Sequence, residues 1–443
     1  MRKSIKAILF IIILSLFYMS LKTFINLKAF SESEILDNIK YLSADSFQGR
    51  LAGTTGNIMT EVYLKNTFAN LGLKPYNSNN YMQNFETYYP KRLKNDPFLR
   101  IVKDDGELVK TYTYAKDYKE DMLSFSLSGI DFNLKDVDMT KPYLLVKNNN
   151  HNILFYNPEG DNINFRSSYD YKSAYNLCIL VTKDTLNDLK DNLNKGYKVS
   201  SYIPFISEKT VLSNVVAYLP GKTDKPPIIF SAHFDHLGTD LNGNVYNGAL
   251  DNGSGISFLL ELSKYVKTLG KPDRSIIFAG FNGEEFGCLG SESFASTNLK
   301  EIKNSTVINF DMIGSYSIPL SIMAGKNDTL NTPLVKTLSS ICTKENIKFG
   351  NIFEDSSDHE AFRKNKIEAI TLCDSDMSKI HTLKDQSKYI DTRAITRCFK
   401  VIYPELMEYG YKDNIFIKYN QGILIGSIIL SILLIMVSII KKH

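Results

Sequence analysis

Four short apolar runs, each delivering the chain to a histidine or a carboxylate, alternate with helix-patterned stretches and predict an α/β fold with a mixed, mostly parallel central sheet flanked by helices. Two further observations complete the outline. Short apolar runs broken by polar turns over about 89–212 predict a β-rich inserted domain, and an uncharged apolar run near each end predicts terminal membrane helices.

Taken in order, Arg2, Lys3 and Lys6 precede Ala7 to Leu21, an apolar stretch of the kind found in a signal peptide or a signal anchor. Lys28-Ala29-Phe30 is a poor cleavage site, so segment 1–30 is read as retained. Segment 31–88 opens the main body with a helix, a turn from Gly49 to Gly56, and a second helix that Thr55 or Asn57 can cap. Within 89–212, the runs Tyr143 to Val146, Asn152 to Tyr156 and Leu177 to Val181 read as strands. Asn214 to Gly221 then re-enters the main body, which extends over 213–415.

Inside that body, Pro227 to His233 is a buried strand that ends in an imidazole. Asp251 opens a glycine-rich turn to Gly255, and Ile256 to Leu269 follows with helical spacing. The strand Ser275 to Phe281 runs into Asn282, Gly283, Glu284 and Glu285, and the strand Ser305 to Phe310 runs into Asp311. A fourth strand, Glu368 to Leu372, precedes a loop carrying His381. Ligands of parallel sheets collect beyond the carboxyl ends of the strands, and every one of these groups lies there.

A lone histidine or aspartate at a strand end is ordinarily a loop residue or a satisfied polar group; the combination is what carries chemistry. Zinc is satisfied by imidazole nitrogen and carboxylate oxygen, and a catalytic zinc keeps a position open for water. Histidines and carboxylates in this number hold two metals only if one carboxylate bridges them, and such a pair both activates water and stabilises the oxyanion formed on attack. Of adjacent Glu284 and Glu285, one can bind metal while the other takes the proton of the water. Asp235, two residues beyond His233, can accept the second imidazole N–H. His236 reads as a strand-end neighbour, His151 as a solvated loop residue, and His443 has no evident role.

The strings Ser231 to Gly238, Gly248 to Gly255, Phe281 to Gly287, Asn309 to Gly314, Ser357 to Phe362 and Ile380 to Thr382 closely resemble the di-zinc aminopeptidases of the bacterial leucyl aminopeptidase and aminopeptidase Y type, relatives of glutamate carboxypeptidase and the transferrin receptor. The resemblance implies two Zn2+ ions bridged by Asp251. His233 and Asp311 would complete one site, and Glu285 and His381 the other. It further implies Glu284 as general base, Asp235 orienting His233, and His359 near the substrate. Relatives often carry proline two residues after the last histidine, whereas this chain continues His381-Thr-Leu-Lys-Asp385. Asp385 is therefore expected either to steady His381 or to lie exposed in the loop. The stretch Lys172 to Val181 and the position of the insert resemble a protease-associated domain; an unrelated lid or spacer is the alternative.

The implied activity is hydrolysis of N-terminal residues from peptide substrates. Alternatives are a glutaminyl-cyclase-like zinc transferase, a carboxypeptidase of the same fold, and a membrane receptor that has lost catalysis. The chain has no tryptophan of the kind expected around a cyclase pocket, and no ligand position is degraded as a receptor would have it.

Composition sets the outer bounds. With 443 residues, 43% hydrophobic and 23% charged, the chain is long enough for two domains with appendages. A net charge of +4 without a dense basic block gives no sign of a nucleic-acid partner. The five cysteines, Cys178, Cys288, Cys342, Cys373 and Cys398, lack metal-site spacing and read mostly as small buried hydrophobes. Ile423 to Ile440 is an uncharged run of 18 residues within segment 422–440, followed by Lys441 and Lys442. Basic residues at both extremes predict cytoplasmic termini at the cell membrane with an extracytoplasmic catalytic body.

Overall fold

The computed structural model describes residues 2–27, 30–76, 80–148 and 150–440. Lys28 and Ala29 of the cleavage-site reading, the Lys441–Lys442 pair and His443 lie outside the described residues.

Nine strands form one mixed sheet. At its centre Ile276–Phe281, Ile228–His233, Thr306–Phe310 and Glu368–Asp374 lie side by side and parallel. Antiparallel pairing takes over at the margins, where Phe205–Leu219 flanks Ile276–Phe281 and Leu320–Ala324 flanks Glu368–Asp374. The central strands are continuous Ile, Val, Phe and Ala runs because both of their faces are covered. Ile228, Phe230, Ile276 and Phe278 pack under the helices Glu32–Leu42, Thr55–Asn70, Gly255–Leu269 and Thr392–Gly410. Ile229, Ile277, Ala279 and Phe281 turn to the opposite side, against Phe294 and Phe362. This period-two alternation fixes the register, and with it which residue ends each strand at the rim.

The chain leaves this sheet along Met82–Arg92 and returns along Phe205–Leu219, paired over their shared length as one long ribbon. Between them lie two four-stranded sheets. One orders Leu108–Thr111, Phe98–Val102, Lys198–Tyr202 and Gly129–Phe132; the other orders Tyr118–Phe125, Leu177–Val181, His151–Tyr156 and Leu144–Asn148. Their shared core includes Leu51, Leu241 and Phe286 from outside the intervening segment, so the β-rich region is fused to the main body by apolar packing.

The apolar helices Arg2–Leu27 and Asn420–Ile440 pack together, and Asn420 Nδ2 donates to the Ser20 carbonyl at 2.7 Å. Ala7–Ile25 is long and apolar enough to cross a membrane, and only 11% of it is buried, unlike a core helix. The second apolar stretch found among the described residues, Asn420–Met436, is shorter. All five cysteines are buried and free.

Candidate active site

The ends of the central parallel strands bring six of the expected side chains to one place. His233 is the last residue of its strand, Glu284 and Glu285 follow Phe281 after a two-residue turn, and Asp311 follows Phe310. Asp251 lies in the turn before the helix Gly255–Leu269, and His381 in the loop after Glu368–Asp374. His233 Nε2 stands 3.3 Å from Asp251 Oδ1 and 3.4 Å from Asp311 Oδ1. On the other side His381 Nε2 stands 3.3 Å from Asp251 Oδ2 and 3.3 Å from Glu285 Oε2. Asp251 therefore divides its two oxygens between two histidine-carboxylate groups.

These spacings fit metal ions. Two donors each about 2.1 Å from one tetrahedral ion stand about 3.4 Å apart. His233 is fully buried, yet neither of its ring nitrogens has a hydrogen-bond partner, a costly state unless a cation sits among the donors. The sets His233, Asp251, Asp311 and His236, Asp251, Glu285 each converge closely enough to hold an ion. His236 is thus a residue the sequence reading missed. It is fully buried, with Nδ1 3.0 Å from Glu285 Oε1 and 3.7 Å from Asp251 Oδ2, so two imidazoles approach the second group. The signal was its position one residue after Asp235.

Exposure separates the paired glutamates. The Glu285 side chain is 1% exposed and closed in on all sides, whereas that of Glu284 is 15% exposed, with Oε2 3.9 Å from His233 Nε2. Water reaches Glu284. Burial raises its carboxyl well above the usual range, and Asp311, Glu285 and Asp358 push it further, against the opposing pull of His233. A carboxylate so placed is a strong proton acceptor. Asp358 itself is fully buried and is raised to about 7, chiefly by burial.

The supporting bonds explain why the turns hold their shape. Asp235, expected to orient His233, has Oδ1 3.6 Å from Nδ1, and its hydrogen bonds go instead to the backbone N–H groups of Glu284 (3.2 Å) and Glu285 (3.1 Å). It ties one strand end to the next. Asp385 is neither exposed nor bonded to His381: it is buried and accepts the N–H groups of Leu250 at 2.7 Å and Asp251 at 2.9 Å. Ser357 donates to Asp311 Oδ2 at 2.6 Å. Behind the glutamate turn, Asn282 Nδ2 donates to Asn57 Oδ1 at 2.9 Å and Glu61 Oε1 at 3.0 Å. The fully buried Arg50 donates to the carbonyls of Phe234, Leu42, Asn247 and Gly248 at 2.7–2.9 Å, and so clamps the chain on both sides of the site. Gly248 is required there, since its φ is 59° and a Cβ would come 2.5 Å from the His236 ring.

His359, expected near the substrate, is fully buried with Nδ1 2.9 Å from Thr371 Oγ1 and Nε2 2.9 Å from the Glu354 carbonyl. Both ring nitrogens are engaged by the protein, leaving none for a substrate.

The β-rich region reaches into the same site through the segment 165–169. Ser168 donates to Glu285 Oε2 at 2.7 Å, and the N–H of Tyr169 donates to the Glu285 carbonyl at 2.8 Å. The N–H of Arg166 donates to the His381 carbonyl at 3.0 Å, and the Phe165 ring stacks on His381 with centroids 6.0 Å apart. His381 needs such support, because its φ of 57° lies in the left-handed region, uncommon for a residue with a Cβ.

Residues 214–406 match the profile of Peptidase family M28. Over 99 residues the chain is 36% identical to the aminopeptidase YwaD of Bacillus subtilis (strain 168), covering 22% of this chain and 20% of that protein. Over 106 residues it is 36% identical to a vacuolar membrane protease of Kluyveromyces lactis, covering 24% of this chain and 11% of that protein. The chain thus matches only a fifth or less of the length of these curated relatives. The fold is shared much more widely. The zinc aminopeptidase BSAP of Bacillus subtilis superposes with a TM-score of 0.62 at 18% identity, over 86% of this chain and 96% of that one. An aminopeptidase from Aneurinibacillus sp. strain AM-1 gives 0.58 at 20% identity, over 86% and 95%. The matched stretch contains every residue expected to bind metal, together with the paired glutamates.

Proposed function

We propose that this protein is a membrane-anchored di-zinc aminopeptidase that hydrolyses N-terminal residues from peptides. The observation that carries the reading is Asp251, whose two oxygens each stand 3.3 Å from a different histidine. That arrangement supports Asp251 as the shared ligand, with His233 and Asp311 completing one site and Glu285 and His381 the other. His236 backs the second group through Glu285. Zinc in such a site supplies Lewis-acid polarisation of the scissile carbonyl and lowers the pKa of water.

The chain's own residues would do the rest. Glu284, reachable by water and raised by burial, takes the proton of the attacking water and returns it to the leaving amine. Asp235 and Asn282 keep the glutamate turn fixed while the proton moves, and Ser168 holds the Glu285 oxygen in place. The packing of the two apolar helices supports a topology with both termini on one side of the membrane and the catalytic body on the other, since Asn420 at the start of one meets Ser20 near the end of the other; the basic residues at both extremes favour the cytoplasmic side for the termini.

A panel of matched peptides with free and acetylated N-termini, given to the purified full-length protein, tests the assignment. Cleavage confined to the free set, abolished by chelator and restored by zinc, is expected. Equal cleavage of both sets would remove the aminopeptidase assignment.

A further inference from the structure

Away from the hydrolytic site, a cavity of about 620 Å³ opens between the helix Thr392–Gly410 and the segments 316–319 and 345–348. Its charged lining is Lys348, Arg393, Arg397 and Lys400 against the single carboxylate Glu345. Two of these cations are already committed, Arg393 to Asp391 at 2.6 Å and Arg397 to Asp374. Lys348 and Lys400 have no carboxylate at ion-pair distance among the described residues, and both are exposed.

A second cavity of about 330 Å³ adjoins it, sharing Glu345 and Lys400. This one is apolar in character. Phe399, Tyr403 and Pro404 come from the helix Thr392–Gly410, and Phe24 comes from the far end of the apolar stretch Ala7–Ile25. Asn420, where the other apolar helix begins, closes the slot. A cationic chamber therefore passes into an apolar slot at the level where the membrane-length helix ends. Lysines on such a boundary keep their ammonium groups at the headgroup layer with their stems along apolar surface.

We propose that the two cavities together seat an anionic phospholipid, with the phosphate diester between Lys348 and Lys400 and the first acyl carbons beside Phe24 and Phe399. The site rests on the membrane-anchored reading given above. Its consequence is mechanical: a lipid held there fixes the catalytic body against the bilayer instead of leaving it to swing on its helices. Charge selects the headgroup, because the chamber offers unpaired cations and a zwitterionic headgroup brings its own ammonium into them.

The test uses the full-length protein in nonionic detergent, with thermal denaturation as readout and dihexanoyl phosphatidylglycerol, dihexanoyl phosphatidylcholine and inorganic phosphate as probes. Phosphatidylglycerol is expected to raise the midpoint, while phosphatidylcholine and phosphate at equal concentration leave it unmoved. The double variant Lys348→Ala, Lys400→Ala should bind phosphatidylglycerol at least about tenfold more weakly, with peptide hydrolysis unchanged. Equal shifts with phosphatidylcholine, equal shifts with phosphate alone, or full affinity in the double variant would each overturn the lipid site. Alkaline carbonate extraction separates the two readings: release of the full-length chain from membranes would overturn the anchoring itself, whereas retention with no preference for the anionic lipid would overturn only the lipid site.

Discussion

Two regions build the site, and they differ in kind. The strand-end region, His233, Asp251, Glu284, Glu285 and Asp311, places chemical donors at the rim of a sheet whose register is fixed by burial on both faces. The segment 165–169 brings no charged ligand to the cluster; its hydroxyl, backbone N–H groups and Phe165 ring hold the outer side of Glu285 and His381 in place. The first region determines what can be bound and which proton can move. The second determines how tightly the half built on Glu285 and His381 is held. Within such a site Glu284 should carry turnover without metal affinity, and the contacts of the second region metal affinity without turnover.

The largest effect is expected from Glu284→Gln. Peptide hydrolysis at saturating zinc should fall by about 10²–10⁴-fold, the usual contribution of a positioned general base, with bound metal unchanged by elemental analysis. Loss of metal along with activity would instead make Glu284 a ligand and blur the division between the glutamates.

Ser168→Ala comes next and probes the other region. Removing a hydrogen bond to a metal ligand typically costs about 10–100-fold in metal affinity. Competition with a fluorescent chelator should show that loss for one ion only, while kcat at saturating zinc stays near the parent value. An unchanged affinity would mean that the β-rich region packs against the site without tuning it.

The smallest effect concerns Glu61, which stands behind the glutamate turn and is pushed up to about 7 by burial. Its folded pKa lies above the unfolded value of about 4.3, so the folded state holds the extra proton. Stability from this group is full below the unfolded value and is lost as pH rises through 7. Glu61→Gln keeps the acceptor for Asn282 and removes the ionisation. The variant should melt above the parent at pH 8, by about 1 °C for each kcal/mol recovered in a chain of this length, with the gap closing as pH falls to about 5. A gap that does not depend on pH would mean that Glu61 has the same pKa in the folded and unfolded chain.

The same contrast explains what could be read from the residues alone. Apolar runs ending in His233, Phe281 and Phe310 announced buried strands, because only a sheet covered on both faces needs such runs, and the donors after them followed. Ser168 and Phe165 carry no such mark, being an ordinary serine and phenylalanine in a polar loop whose arrival at Glu285 depends on tertiary packing. His236 was misread for a related reason: one residue after Asp235, it could have faced either way. Asp385 looked like a loop aspartate because the backbone N–H groups it satisfies lie 135 and 134 positions away. His359 sat in a matching block, yet its two hydrogen bonds turn it into the protein's own interior.

Zinc content per chain, measured on the purified full-length protein and on Asp251→Ala, tests the shared-aspartate geometry most directly. The account predicts two ions per parent chain and none retained at both sites together in the variant, since each group loses a donor by the same substitution. A single ion in the parent, or two ions persisting in Asp251→Ala, would contradict it.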